Sequence, residues 1–113
     1  MIKQISKILM ELNVSPSLQG FYFIREALLL LNENKFMSLH NELYPVIAAK
    51  FNTTSSRVER AIRHAVSTAQ LCSEHSDLYF KLFKVVSKTT SLPTNSHVLY
   101  TLLLLVNNEL EVE

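Results

Sequence analysis

The chain has 113 residues, with 11 Lys/Arg against 10 Asp/Glu (formal net charge +1) and 48% hydrophobic residues. That length holds one domain with a modest core, and that apolar content excludes a disordered chain. One glycine and three prolines are too few turn formers for a β-sandwich or barrel, whereas plentiful Leu, Ala, Glu, Lys and Ser favour an all-α fold over 1–113.

Residues 2–13 place Ile2, Ile5, Ile8, Leu9 and Leu12 on one side of an amphipathic helix. Ser15-Pro16 breaks it, and Gly20, the only glycine, marks a positive φ or a close backbone approach before the next helix. Residues 21–31 are apolar except for Arg25 and Glu26, the pattern of a central helix. A loop is expected over 32–35 and a new helical pattern over 36–43. Pro45 is expected to push Tyr44 out of the α region and to start a helix running to Phe51.

After the polar turn Asn52-Thr53-Thr54, a helix is expected from about Ser55 to Gln70. Thr54 is the preferred N-cap, with Ser56 and Glu59 as an alternative capping box. A loop over 71–76, an amphipathic helix over 77–88 and an irregular stretch over 89–93 follow. The last helix is expected over 97–108, with Thr94, Asn95 and Ser96 all able to cap it. The run Leu102–Leu105 reads as core or as a partner-binding face, and Phe80, Phe83 and Val86 are expected to pack inward. The architecture is a six-helix domain containing a helix-turn-helix over about 45–70.

The stretch over 53–69 carries the chemistry. At about 100° per residue, Val58, Ile62, Ala65 and Ala69 fall within roughly 60° of one another and form an apolar stripe. Ser56, Arg60, Arg63 and Ser67 lie opposite, flanked by Arg57 and His64. Between Lys50 and Thr68 there are four Lys/Arg and one acid, while Glu109, Glu111 and Glu113 end the chain. Local charge of this kind marks a face for an anion, although the global sum does not.

A short brace helix, a turn and a basic second helix are the layout of a DNA-reading helix-turn-helix, with double-stranded DNA as partner. Arginine pairs with guanine O6 and N7, and glutamate accepts from cytosine N4. Glu59 and Arg60 are therefore the candidate base readers. Lys50, Thr53, Thr54, Ser56, Arg57, Arg63 and His64 are the candidate phosphate contacts. Periodicity and charge alone leave this helix open to a second reading, as a solvated surface.

Cys72 is the only cysteine, so no intrachain disulfide forms, which suits a reducing cytoplasm. The longest apolar run, residues 102–106, falls far short of the ~20 residues of a membrane span, and the N-terminus has no signal-peptide pattern. One Cys and one His in Cys72-Ser73-Glu74-His75 do not make a zinc site. No catalytic constellation or phosphate loop stands out, so neither an enzyme nor a cofactor is expected.

The segment LYPVIAAKFN-TTSSRVERAIRHA (residues 43–65) resembles the C-terminal effector domain of the stage-zero-A sporulation response regulator family. Residues 20–27, Gly-Phe-Tyr-Phe-Ile-Arg-Glu-Ala, are similar to that family's Gly-Tyr-x-Tyr-Leu-Arg-Glu-Ala. Residues 93–96, Pro-Thr-Asn-Ser, resemble its motif before the final helix. The likeness is weakest over 70–92. It implies a six-helix fold, transcriptional control, operator binding as tandem head-to-tail homodimers, and contact with the housekeeping sigma factor of RNA polymerase. It also implies base contacts by Glu59 and Arg60, with Arg57, Arg63 and His64 along the DNA.

Three features depart from the family. The receiver domain is missing, as expected of a fragment or of a stand-alone form that phosphorylation does not gate. Gln70 stands where a tryptophan is usual, beside a divergent loop over 72–76. The last helix is leucine-rich and ends in acids. These departures motivate an alternative function: a receiverless protein-interaction module that modulates the full regulator or RNA polymerase without reading DNA.

Overall fold

In the computed structural model of the chain, residues 1–71 and 93–109 are described. Five α-helices and one π turn run in the order α1 (Ile2–Glu11), α2 (Gln19–Glu33), the π turn (Leu39–Leu43), α3 (Tyr44–Lys50), α4 (Ser55–Leu71) and α5 (Asn95–Val106). The described residues include no strand. The fold is all-helical, as the composition predicts. The helix expected over 77–88, with Phe80, Phe83 and Val86, and the Cys72–His75 pair lie outside the described residues.

Helix α2 is the hub, packing against α1, α3, α4 and α5. It buries Phe21, Phe23, Ile24, Ala27, Leu28 and Leu31, so its nearly continuous apolar sequence is used on most sides. Around it, α1 contributes Ile5, Leu9 and the flanking Leu12, while Ile2 stays exposed. Helix α5 contributes Val98, Leu99, Leu102, Leu103 and Val106. The leucine run is thus mainly core, with Leu104 alone of the four left exposed.

Gly20 is the second residue of α2, and its φ is not positive. The reason for a glycine here is the close approach. A Cβ would run into the carbonyl oxygen of Ala61 and lie 2.7 Å from the Cβ of Ala65. The backbones of α2 and α4 therefore meet without a side chain between them.

Asparagine closes three helices in place of glycine. Asn13, Asn52 and Asn108 hold φ of 66°, 55° and 58° just beyond α1, α3 and α5. In each case the next residue's N–H reaches back across the last turn: Val14 to Leu9 O (2.9 Å), Thr53 to Ala48 O (2.8 Å) and Glu109 to Leu104 O (2.8 Å). This is the Schellman arrangement, and asparagine tolerates its left-handed position better than other residues with a side chain.

Some boundaries differ from the sequence pattern. Helix α1 ends at Glu11, α2 continues through Asn32 and Glu33, and α5 takes in Asn95 and Ser96 and ends at Val106. Tyr44 also departs from its expected conformation, lying in the right-handed helical region at φ −61°, ψ −42°. The N–H groups of Leu43 and Tyr44 bond five residues back, to Ser38 O and Leu39 O, and the Tyr44 ring is buried at 4% exposure. Packing and the wide turn together outweigh proline's bias on its neighbour. Pro45 occupies the first turn of α3 as expected.

Gly20→Ala tests the close approach by the sign of its effect. In a helix without neighbours the change stabilises by about 0.5–1 kcal/mol. Here overpacking against Ala61 and Ala65 should destabilise by about 1–3 kcal/mol, read as a lower midpoint in urea unfolding.

Candidate nucleic-acid interface

The basic helix is set in place from its first residue. Thr54 Oγ1 accepts from Arg57 N at 3.2 Å, and Thr54 O accepts from Val58 N at 3.0 Å, so Thr54 is the N-cap of α4. The alternative capping box would occupy the Glu59 carboxylate. With the cap at Thr54, the hydroxyl of that residue closes the helix and Glu59 lies in the second turn, half-buried.

Opposite this ridge, Val58, Ile62, Ala65, Val66 and Ala69 are buried. The predicted stripe is present, and Val66 widens it. Arg57, Arg60, Arg63 and His64 are exposed. Ser56, Glu59, Arg60 and Arg63 together line a shallow hollow of about 390 Å³. The two candidate base readers thus share one concavity with a hydroxyl and a second guanidinium. Among the described residues the ion pairs are Lys35–Glu109 (3.7 Å) and Lys50–Glu26 (2.9 Å), so none of the three α4 arginines has a carboxylate partner there.

The remaining candidates are placed differently. Lys50 Nζ is 2.9 Å from Glu26 Oε1, and its side chain is 58% exposed. The Glu26 side chain is only 16% exposed, but the ammonium itself stays accessible. Thr53 lines a second, smaller hollow of about 210 Å³ with Gln19, Tyr22, Phe23 and Phe51, apart from the Glu59–Arg60 group. The Thr54 oxygen accepts from the backbone, which leaves its O–H free to donate.

One face of α2 supports this assembly. Gly20 meets α4, the Phe23 ring meets Phe51 edge-on at 5.1 Å, and Glu26 holds Lys50. These positions are spaced by three residues and lie on one side of the helix. They touch, in turn, the second helix, the turn and the end of the first.

The sequence pattern offers Asn95 as one of three caps, but Thr94 takes that role by accepting from His97 N at 3.1 Å. The Asn95 side chain instead points inward at 6% exposure. Its Nδ2 donates to Tyr44 Oη (3.3 Å) on α3 and to Glu59 O (3.1 Å) on α4. The sequence signal was present: an asparagine inside the first turn, one residue past an adequate cap, is a poor helix former with no local task. Burial pushes the Tyr44 phenol above its usual value of 10.0; the Asn95 hydrogen bond opposes this, Glu59 adds to it and Arg63 opposes it. Tyr44 is therefore neutral at physiological pH. At the far end of α4, Gln70 has its Oε1 buried with no hydrogen-bond partner among the described residues.

Among the described residues no three His, Cys, Asp or Glu side chains cluster as a metal site, and no helix is long and apolar enough to cross a membrane.

Residues 5–105 match the family described as Sporulation initiation factor Spo0A C terminal. The match spans nearly the whole chain, and the protein belongs to this family of DNA-binding sporulation regulator domains, which is not a family of enzymes.

Thr54→Ala should lower stability by about 0.5–2 kcal/mol, whereas Thr54→Asp, another good N-cap, should restore most of the loss. Chemical denaturation and amide exchange over the first turn of α4 measure both.

Proposed function

We propose that this member of the family is a sequence-specific transcription regulator, with α3 and α4 acting as a helix-turn-helix within one effector domain over 1–113. Helix α3 braces, and the N-terminal half of α4 enters the major groove. Arg60 donates to guanine O6 and N7, and Glu59 accepts from a neighbouring cytosine N4. Ser56, Arg57, Arg63 and His64 grip phosphates along the ridge, with Lys50, Thr53 and Thr54 contributing from the turn. The observation that carries this reading is the shared hollow of Ser56, Glu59, Arg60 and Arg63 on the exposed side of a helix whose other side is buried.

The family relationship extends the proposal to a six-helix fold, tandem homodimers on operator DNA, contact with a sigma factor of RNA polymerase, and action in the cytoplasm where the chromosome lies. A net charge of only +1 is compatible with this, because binding depends on the local field and on counterions released by each neutralised phosphate.

Fluorescence anisotropy on an operator duplex and a scrambled duplex, at two salt concentrations, tests the division of labour. Arg60→Ala should cost about 1–3 kcal/mol on the operator and little on the scrambled sequence. Arg57→Ala should weaken both alike and reduce the salt slope by about one. Equal losses for Arg60→Ala on both duplexes overturn base reading. A wild-type protein with no operator preference favours the protein-interaction module instead.

A further inference from the structure

We propose that Asn95 is a positioning residue for sequence reading: from the first turn of α5 it ties the brace helix and the reading helix together at Glu59. The inference rests on the base-reading role proposed for Glu59 and Arg60, and it concerns the register of those two side chains.

Three observations support it. Asn95 spends both amide hydrogens on different elements, Tyr44 Oη on α3 and Glu59 O on α4. It is the one buried polar residue in an otherwise hydrophobic core among the described residues, where a bond left unmade costs more than at the surface. Its carbonyl partner belongs to the residue proposed to read a base, next to Arg60. That carbonyl is held by the buried Asn95 amide while the Glu59 and Arg60 side chains line the hollow, so the bond fixes the rotation and depth of α4 at the reading point. Phosphate contacts tolerate a small rotation because arginine and lysine side chains are long. A bidentate base contact does not, since its geometry is fixed by a planar fork.

Asn95 therefore acts on preference rather than on grip. It also makes specificity depend on α5, which touches no DNA in this scheme.

Two variants separate this role from simple support of α5. Asn95→Asp keeps the shape, and an acid in the first turn of a helix is favourable to that helix, but it places an oxygen against Glu59 O. Tyr44→Phe removes one partner and leaves the Glu59 bond. Each is measured on operator and scrambled duplexes, at a temperature where circular dichroism shows full folding, alongside amide exchange of the DNA-free protein. Asn95→Asp should lower operator affinity about tenfold, leave scrambled-duplex affinity and the salt slope unchanged, and speed exchange across the first two turns of α4. Tyr44→Phe should shift preference in the same direction by less, and the two changes combined should be non-additive. An unchanged operator-to-scrambled ratio in both folded variants, or unchanged exchange in α4, overturns the proposal. A wild-type protein without operator preference, while α4 exchange still responds to Asn95→Asp, overturns base reading itself and with it the role given to Asn95.

Discussion

The backbone contact between α2 and α4 at Gly20 is the constraint on which the rest of the structure depends. With no Cβ at that point, the carbonyl of Ala61 and the Cβ of Ala65 sit directly on the α2 backbone. Helix α4 is thereby held at a fixed depth, its apolar stripe sealed and its basic ridge turned outward. The same face of α2 then reaches the turn through Phe23 and Phe51, and the end of α3 through Glu26 and Lys50. In the proposed role, a surface made of long, exposed arginine side chains needs such a rigid base. Without one, each contact carries the further entropy cost of ordering the helix that presents it.

The turn between α3 and α4 shows how economically the ends are made. Asn52 takes the left-handed position, Thr53 N–H reaches back to Ala48 O, and Thr54 caps the next helix. Four residues, Phe51 to Thr54, end one helix and begin another. Because Thr54 supplies the cap, the start of α4 does not draw on the Glu59 carboxylate, and Glu59 lines the hollow with Arg60 and Arg63.

What the sequence disclosed follows the range of the forces involved. The α4 stripe, its basic ridge, the Thr54 cap and Pro45 in the first turn of α3 all depend on neighbours within a turn or two, and each is where the pattern places it. Gly20 was legible only as two alternatives, because the atoms that exclude a side chain belong to Ala61 and Ala65, far along the chain. Tyr44 departs from the local expectation because proline's bias on its neighbour is small beside the burial of an aromatic ring. Asn95 is locally legible only as one of three possible caps, because its two acceptors lie on other helices. Neighbouring residues explain the ridge, and distant ones explain how it is held.

The proposed contact between Arg60 and a guanine in the major groove can be tested directly on the DNA. Replacing operator guanines one at a time with 7-deazaguanine removes the N7 acceptor while keeping Watson–Crick pairing. Measured with wild-type protein and with Arg60→Ala, one position should weaken wild-type binding by about 1–3 kcal/mol and leave the variant unaffected. No sensitive guanine, or the same sensitivity in both proteins, would contradict guanine reading by Arg60.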